Sequence, residues 1–497
     1  MIHRIALILG TLVIVACALL IACSGYRHEA YRLNDKSMVS EKEFDLYFVE
    51  ADDEGWFWQP QQADRALEAI EQSANSRDTF VVLFVHGWHH SSQCCDSNVQ
   101  SFRKTLGQLR RELAGRFNTG ARAEYSQSQK VEGDFQLIGI YLGWRGQSLP
   151  GFLDFFTFWG RKSAAERVGE TDTREFIARL NQLYLKQRGE EGQRNFLGLI
   201  SMGHSFGAQV LLRATASTLE QQLIGLEAPS GYLRQAAPAG PVGDAKALQG
   251  IGDLVVLLNP ATEAAAYHRL HLLSMGMRYR ESQTPVMLTI STDNDYARHR
   301  LFTFGRVLGE FFGSRPRKGN AFERESERKA LGVEGELVRH VTHRISPVDS
   351  RETLIEEDAE ISPEAGCDSR AECSADWRVW AELADRLVRE DIPSRDDTDV
   401  DRERLRDFDL SGLVRLGNVS MVPGEGAIPY QPLIVATTNE AIIDNHSGIF
   451  TQPLLKFLIP YIALIESKLA LNQVQDVEMK QRAMASPIQA EVPQQPK

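Results

Sequence analysis

Positive charge is what this sequence most lacks. Its 55 Lys and Arg residues stand against 67 Asp and Glu, a formal net charge of −12, and no basic stripe offsets the deficit. Binding phosphates needs clustered cations, so nucleic acid is excluded as a partner. Cysteine is scarce too, six in 497 residues. No histidine lies at ligand spacing from the cysteines in the body of the chain, so no metal site is expected there. No internal repeat recurs, which sets aside solenoids and propellers. What is present is ordinary in amount: 43% apolar and 25% charged residues, the balance of a globular protein with a real core. The length suits two or three domains, or one large domain carrying insertions.

The opening stretch, MIHRIALILGTLVIVACALLIACSG, has one early Arg, an apolar run from Ile5 and small residues around a cysteine, the pattern of a targeting segment. Leu20-Ile21-Ala22-Cys23 resembles the bacterial lipobox, where signal peptidase cuts and the cysteine thiol is acylated. Residues 1–23 are therefore read as a signal peptide or lipid-anchor segment, with Cys23 as the lipidated residue. Ile14-Val15-Ala16-Cys17 fits the same loose pattern but would leave a further apolar run on the mature chain. The run from Ile5 to Cys23 also has about the length a bilayer core requires, so a single uncleaved N-terminal membrane anchor is the alternative. Either way the body is expected at the bacterial cell envelope, on the periplasmic side of a membrane. Ser24 stands where some lipoproteins carry an inner-membrane aspartate, which favours the outer membrane. With Cys17 removed and Cys23 lipidated, Cys94, Cys95, Cys367 and Cys373 remain in a compartment that permits disulfides. A Cys367–Cys373 bridge, closing a small loop, is the simplest of three pairings.

Residues 24–78 form an N-terminal extension, polar and aromatic by turns, with a weak signal for an entry strand or two. TFVVLFVHG then gives a continuous apolar run, Phe80 to Val85, as a strand covered on both faces requires. In the next segment Val99, Phe102, Leu106, Leu109, Leu113 and Phe117 recur at spacings of three and four, one face of a helix, with Asp96 or Ser97 as cap. The alternation continues: strand at FQLIGIYLGW, helix at EFIARLNQLYLKQ, strand at NFLGLISM, helix at GAQVLLRATASTL, then strands at GDLVVLLNPA and TPVMLTIST. Strands alternating with helices predict an α/β fold, a mostly parallel central sheet flanked by helices. Residues 79–312 are the first part of that core. Residues 313–426 break the pattern with charged runs and read as an insertion or partial cap before the last strand. Residues 427–472 restore a strand and a final helix, and 473–497 are expected to be a disordered tail.

Against that frame ISMGHSFGAQV has a chemical meaning. Ser205 follows an apolar strand and precedes a helix, with Gly203 and Gly207 on either side, the G-x-S-x-G spacing of a nucleophile elbow. A serine at so sharp a turn occupies a strained backbone, and the glycines remove side chains that would collide across it. The following helix offers free N–H groups and a partial positive charge where an oxyanion would form.

On these residues the sequence resembles the α/β-hydrolase superfamily, over most of 79–310 and 430–470. The resemblance implies an oxyanion hole from the backbone N–H of Phe206, next after the nucleophile, and one from the His86-Gly87 loop, assigned to Trp88. His86 itself is expected to be a buried structural histidine, and His89 and His90 to be surface or loop residues. The family order of nucleophile, acid, histidine points to Asp295 as the acid, followed by the aromatic Tyr296, with Asp293 as the alternative. It points to His446 as the base, in a loop between the last strand and the last helix. His340 and His343 are rivals but precede that strand. Phe152, Phe155, Phe156, Phe158 and Trp159 form an aromatic cluster, a core helix or the lining of an acyl pocket.

The activity so implied is a serine hydrolase tethered to the envelope, cleaving carboxylic esters of small molecules or lipids through an acyl-enzyme, with no metal and no cofactor. A thioesterase or peptidase would use the same triad. A non-catalytic binding or assembly lipoprotein that keeps only the fold is the reading from another class.

Overall fold

In a computed structural model the described residues are 10–11, 13–15, 29–117, 135–146, 157–189, 195–226, 242–295, 298, 302–303, 320–348 and 408–485. Cys17, Cys23, Tyr296, Phe152, Phe155, Phe156, Cys367 and Cys373 lie outside them. Among the described residues no helix is long and apolar enough to cross a membrane.

The chain runs through β1 (Met38–Ser40), β2 (Asp45–Glu50), α1 (Pro60–Ser76), β3 (Thr79–Val85), α2 (Ser97–Phe117) and β4 (Gln136–Gly143). It continues with α3 (Phe158–Glu170), α4 (Asp172–Gly189), β5 (Leu197–His204), α5 (Phe206–Gly225), β6 (Val242–Lys246), β7 (Leu254–Leu258) and α6 (Ala264–Met275). Then come β8 (Met277–Tyr279), β9 (Met287–Thr292), α7 (Ala321–Arg328), β10 (His343–Pro347), β11 (Val414–Leu416), β12 (Val419–Pro423), β13 (Leu433–Thr438) and α8 (Gln452–Ala485).

Eleven of these strands form one sheet in the order β1-β2-β4-β3-β5-β7-β9-β13-β10-β12-β11. From β2 to β10 every neighbouring pair is parallel; β1 at one edge and β12 and β11 at the other pair antiparallel. Parallel strands must be covered on both faces, and β3 shows how. Val81, Leu83 and Val85 enter the core that holds α1, α3, α4, α5 and α6. Phe80, Val82 and Phe84 enter the opposite core, under α2 and α8. The continuous apolar run is thus two alternating faces, both buried, each large side chain stabilising the sheet by about 1.5–3 kcal/mol.

The α/β architecture with its mostly parallel sheet agrees with the alternation in the sequence, and three boundaries differ from that reading. The segment read as an N-terminal extension supplies β1, β2 and α1, with β2 in parallel register against β4. Its strand, DLYFVE, begins and ends on an acidic residue, so its short apolar run does not stand out from its polar flanks. The span read as an insertion or partial cap supplies β10, β11 and β12, and β10 pairs with β13. In β10 His343 and Ile345 point inward and Arg344 outward, so a charged sequence still carries one apolar face. The last helix runs to Ala485, past Gln473 where a tail was expected. Its final turns are rich in Gln, Glu, Lys, Met and Ala, which are good helix formers.

The order of the central strands also sets the place of the site. The chain leaves β3 through α2 to β4 on one side, and returns through α3 and α4 to β5 on the other. Ligands on open parallel sheets bind at such a reversal, beyond the carboxyl ends of the strands. The loops after β3 and β5 flank it.

Candidate active site

Every residue of β5 is buried, and the chain turns sharply at its end. Ser205 has φ 55° and ψ −117°, a region that a side-chain-bearing residue occupies at a cost of about 1–3 kcal/mol. The turn is tied to the next strand: Ser205 N–H donates to Leu258 O at 3.0 Å, and Ser205 O accepts from Ala261 N at 3.2 Å. A Cβ on Gly203 would lie 2.6 Å from Gly207 O, and one on Gly207 would lie 2.1 Å from Val85 O and 2.6 Å from His86 O. Gly207 therefore lets the first turn of α5 rest directly on the end of β3. Gly207→Ala is expected to cost about 3 kcal/mol or more, since only backbone movement can relieve the clash. A urea melt reads this directly; an unchanged midpoint would contradict the close approach.

His446 stands in the loop between β13 and α8. Its Nε2 lies 2.8 Å from Ser205 Oγ and its Nδ1 lies 2.6 Å from Asp295 Oδ2. A carboxylate only accepts, so Nδ1 carries the proton and donates to Asp295, leaving Nε2 to accept from the serine hydroxyl. Asp295 is 1% exposed. Its other oxygen accepts from Arg298 N–H at 3.0 Å, and the buried Arg298 guanidinium lies 3.8 Å from Oδ2. Burial alone would raise the carboxyl's pKa, but hydrogen bonding and charge from His446, with Arg298 behind, hold it below the usual carboxylate range. Asp293 is half-exposed and pairs with Arg344 at 3.2 Å, so of the two candidate acids it is Asp295 that meets the imidazole. The rival histidines are elsewhere. His343 Nε2 bonds Ser411 O at 2.6 Å, and His340 Nε2 lies 2.9 Å from His268 Nδ1.

The loop after β3 is built around His86. Trp144 N–H donates to His86 Nε2 at 3.1 Å, so the proton sits on Nδ1, which donates to Gly87 O at 2.9 Å. Trp144 Nε1–H donates to His86 O at 2.9 Å, and the two rings stack. Further along, Asp96 accepts from Ser91 N and Asn98 N at 2.9 and 2.8 Å, and lies 3.1 Å from His90 Nδ1. This frame carries Trp88 to the rim beside Phe206, the first residue of α5, whose N–H has no acceptor within its own helix.

Between the loops lies a cavity of about 300 Å³, walled by Trp88, Phe158, Phe206 and Phe302, with Ser205, His446, Arg298, His89 and His90 also on it. Phe158 packs edge-on to Trp88 at 5.3 Å and lies 5.2 Å from Phe206. It belongs both to the core and to the cavity wall. Sequence reasoning did not single out His204, Asn259, Arg298 or Phe302, nor the place of His89 and His90 at the cavity. Asn259 directly follows an apolar strand at the same rim as Ser205, and Arg298 follows Asp295 by one turn; either position could have drawn attention. Cys94 and Cys95 are exposed free thiols in the same loop. Among the described residues no three His, Cys, Asp or Glu side chains group to hold a metal ion.

Burial also keeps several histidines neutral. It pushes His86 and His271 down to about 4, His204 to about 3, and His340 well below the ordinary value. In the fold these rings resist protonation, whereas the unfolded chain takes up protons below about pH 6.5. Their contribution is therefore complete above that pH and is lost as pH falls from 6.5 toward 4 and below. His86 alone would account for about 3 kcal/mol at pH 4. Urea midpoints are expected to fall steadily between pH 7 and 4; a flat profile would mean that the rings are accessible to solvent.

No family model matches this chain, and no curated protein does. Among solved structures an uncharacterized protein from Pseudomonas aeruginosa is similar over 47% of this chain, at 10% identity and a TM-score of 0.14. The similar region spans 39% of that protein's length, and the likeness carries no argument about fold or function.

Proposed function

We propose that this chain is a serine hydrolase of carboxylic esters, built on an α/β-hydrolase fold and tethered to the bacterial cell envelope through lipidated Cys23. The observation that carries the reading is the hydrogen-bonded chain Ser205–His446–Asp295, at 2.8 and 2.6 Å, ending on a serine with positive φ. Nucleophile, base and orienting acid each have the neighbour that the chemistry requires.

In the first step His446 Nε2 takes the Ser205 proton as Oγ attacks the ester carbonyl carbon. The carbonyl π electrons move to oxygen, and the backbone N–H groups of Phe206 and Trp88 receive that oxyanion. One such donor is worth about 3–4 kcal/mol of barrier in enzymes where it has been removed. His446 then gives its proton to the departing alcohol, leaving an acyl-serine. Water, deprotonated by the same nitrogen, attacks the acyl carbon; as the bond to Ser205 Oγ breaks, His446 returns the proton to that oxygen and the acid leaves. Asp295 stays ionised throughout, holding the tautomer and stabilising the imidazolium. The aromatic walls suit an apolar acyl group, and a volume near the lower end of ligand pockets suits one of modest size.

The test is labelling of residues 24–497 with a fluorophosphonate, mapped by mass spectrometry, beside hydrolysis of p-nitrophenyl esters of graded chain length. Labelling at Ser205 with ester turnover supports the reading. Faster turnover of thioesters or peptides would move the substrate class while keeping the triad. Absence of both labelling and turnover would leave a binding or assembly protein.

A further inference from the structure

The triad's imidazole hangs from a loop whose flanking residues Asp444, Asn445 and Ser447 are exposed. Its backbone is nevertheless gripped. His446 O accepts two hydrogen bonds, from His204 Nε2 at 2.8 Å and from Asn259 Nδ2 at 2.9 Å. One turn of chain earlier, Ile443 O accepts from Thr292 Oγ1 at 2.8 Å.

Asn259 is the joint of this arrangement. It follows β7 directly with φ 43°, in the left-handed region that asparagine tolerates better than most residues. Its own N–H donates to Ile290 O at 2.8 Å. Its side-chain oxygen accepts from Thr292 N–H at 2.9 Å and from Arg298 Nη1 at 3.4 Å. With donors on one side and a carbonyl on the other, the amide has only one sensible orientation. A single side chain thus ties the end of the acid's strand, the arginine behind the acid, and the carbonyl of the base.

His204 completes the grip. Because a carbonyl can only accept, the proton of His204 is on Nε2, and Nδ1 is bare. The ring centroids of His204 and His446 are 5.2 Å apart, so a charged His204 would oppose the imidazolium that forms on His446. Full burial keeps it neutral, with its pKa pushed down to about 3, so it donates without adding charge beside the base.

We infer that Asn259 and His204 are positioning residues for His446, acting through its backbone carbonyl to hold the imidazole between Ser205 and Asp295. This rests on the triad reading given above. Displacement of a catalytic group by about 1 Å can cost roughly 100-fold, so releasing the carbonyl should act on the chemical step.

The experiment compares wild type, Asn259→Asp, Asn259→Ala, His204→Gln and His204→Phe. Three readouts are taken: kcat and KM for p-nitrophenyl butyrate, the rate of fluorophosphonate labelling, and the low-field proton resonance of the His446 Nδ1–H···Asp295 bond. Asn259→Asp keeps the shape but removes the donor, and is expected to lower kcat about 10- to 100-fold. Its KM should stay within about threefold, with the low-field resonance weakened or lost. His204→Gln can still donate and should retain more activity than His204→Phe. Should Asn259→Ala or His204→Phe fail to fold, Asn259→Asp and His204→Gln carry the test. Wild-type kcat and an unchanged resonance in Asn259→Asp would overturn the inference, as would equal losses in Gln and Phe at position 204. Labelling at Ser205 in wild type at the same rate as in the variants would leave the hydrolase and remove the clamp. A resonance present in wild type and lost in Asn259→Asp, with no labelling of either, would keep the clamp and remove the hydrolase.

Discussion

Ser205→Ala is expected to abolish fluorophosphonate labelling and to lower kcat for p-nitrophenyl esters by roughly a millionfold, the scale on which removing a triad nucleophile acts. KM should change little, because the cavity walls that would hold the acyl group, Trp88, Phe158, Phe206 and Phe302, are untouched. The folded state should survive. Alanine at φ 55° meets the same backbone strain as serine, and the elbow is held by main-chain bonds to Leu258 and Ala261 that do not involve the hydroxyl. The far-ultraviolet circular dichroism and the urea midpoint should therefore match wild type while activity vanishes. Labelling of the alanine variant at the wild-type rate would place the reactive serine elsewhere and end the proposal.

The second large effect is expected at Asp295. Asp295→Asn should lower kcat by roughly 10⁴-fold, as amide replacement of a triad acid does in serine proteases. An amide cannot fix the tautomer that leaves Nε2 free to accept from Ser205, and it offers no charge to the imidazolium. The change also reaches stability. Arg298 is fully buried, and burial already lowers its pKa to about 10; removing the facing carboxylate takes away the largest favourable charge on it, leaving among the described residues its hydrogen bonds to Asn259 Oδ1 and Leu331 O. Breaking a buried pair from one side costs about 3–5 kcal/mol. The sign with pH follows from the depressed pKa of Asp295. Its contribution is present above the unfolded value of about 3.9 and is lost as pH falls through the lower folded value. The stability gap between wild type and Asp295→Asn should therefore be full at pH 7 and narrow below about pH 4. A gap that widens in acid would mean that the carboxyl is protonated in the fold at neutral pH. Equal kcat values would remove Asp295 from the site.

The alternation of apolar runs and helical faces was legible because it is local: a strand buried on both sides reads as a nearly continuous apolar run, as β3, β5 and β7 largely do. The elbow was legible for the same reason, since the glycines that avoid Val85 O and Gly207 O sit two residues on either side of Ser205. His446 was readable only through the nucleophile, acid, histidine order that the resemblance implies. The outermost strands of the parallel core were not. β2 and β10 are short and carry polar residues among their apolar ones, so their pairing shows only when β4 and β13 are already in place. Asn259 and His204 were equally silent, because what distinguishes them is a carbonyl far along the chain that both reach.

By itself the order of residues determined the layered α/β architecture, the turn that strains Ser205, and the short list of partners for it. Only the tertiary structure decided between Asp293 and Asp295, since the two lie two residues apart and differ in what surrounds them: one meets solvent and Arg344, the other the imidazole and a buried arginine. It also decided that His89, His90, Phe302 and Arg298 share a cavity with Ser205. The physical reason is the same in each case. Backbone propensity and apolar spacing act over a few residues, whereas a hydrogen bond or a burial cost depends on what distant segments bring within about 3 Å.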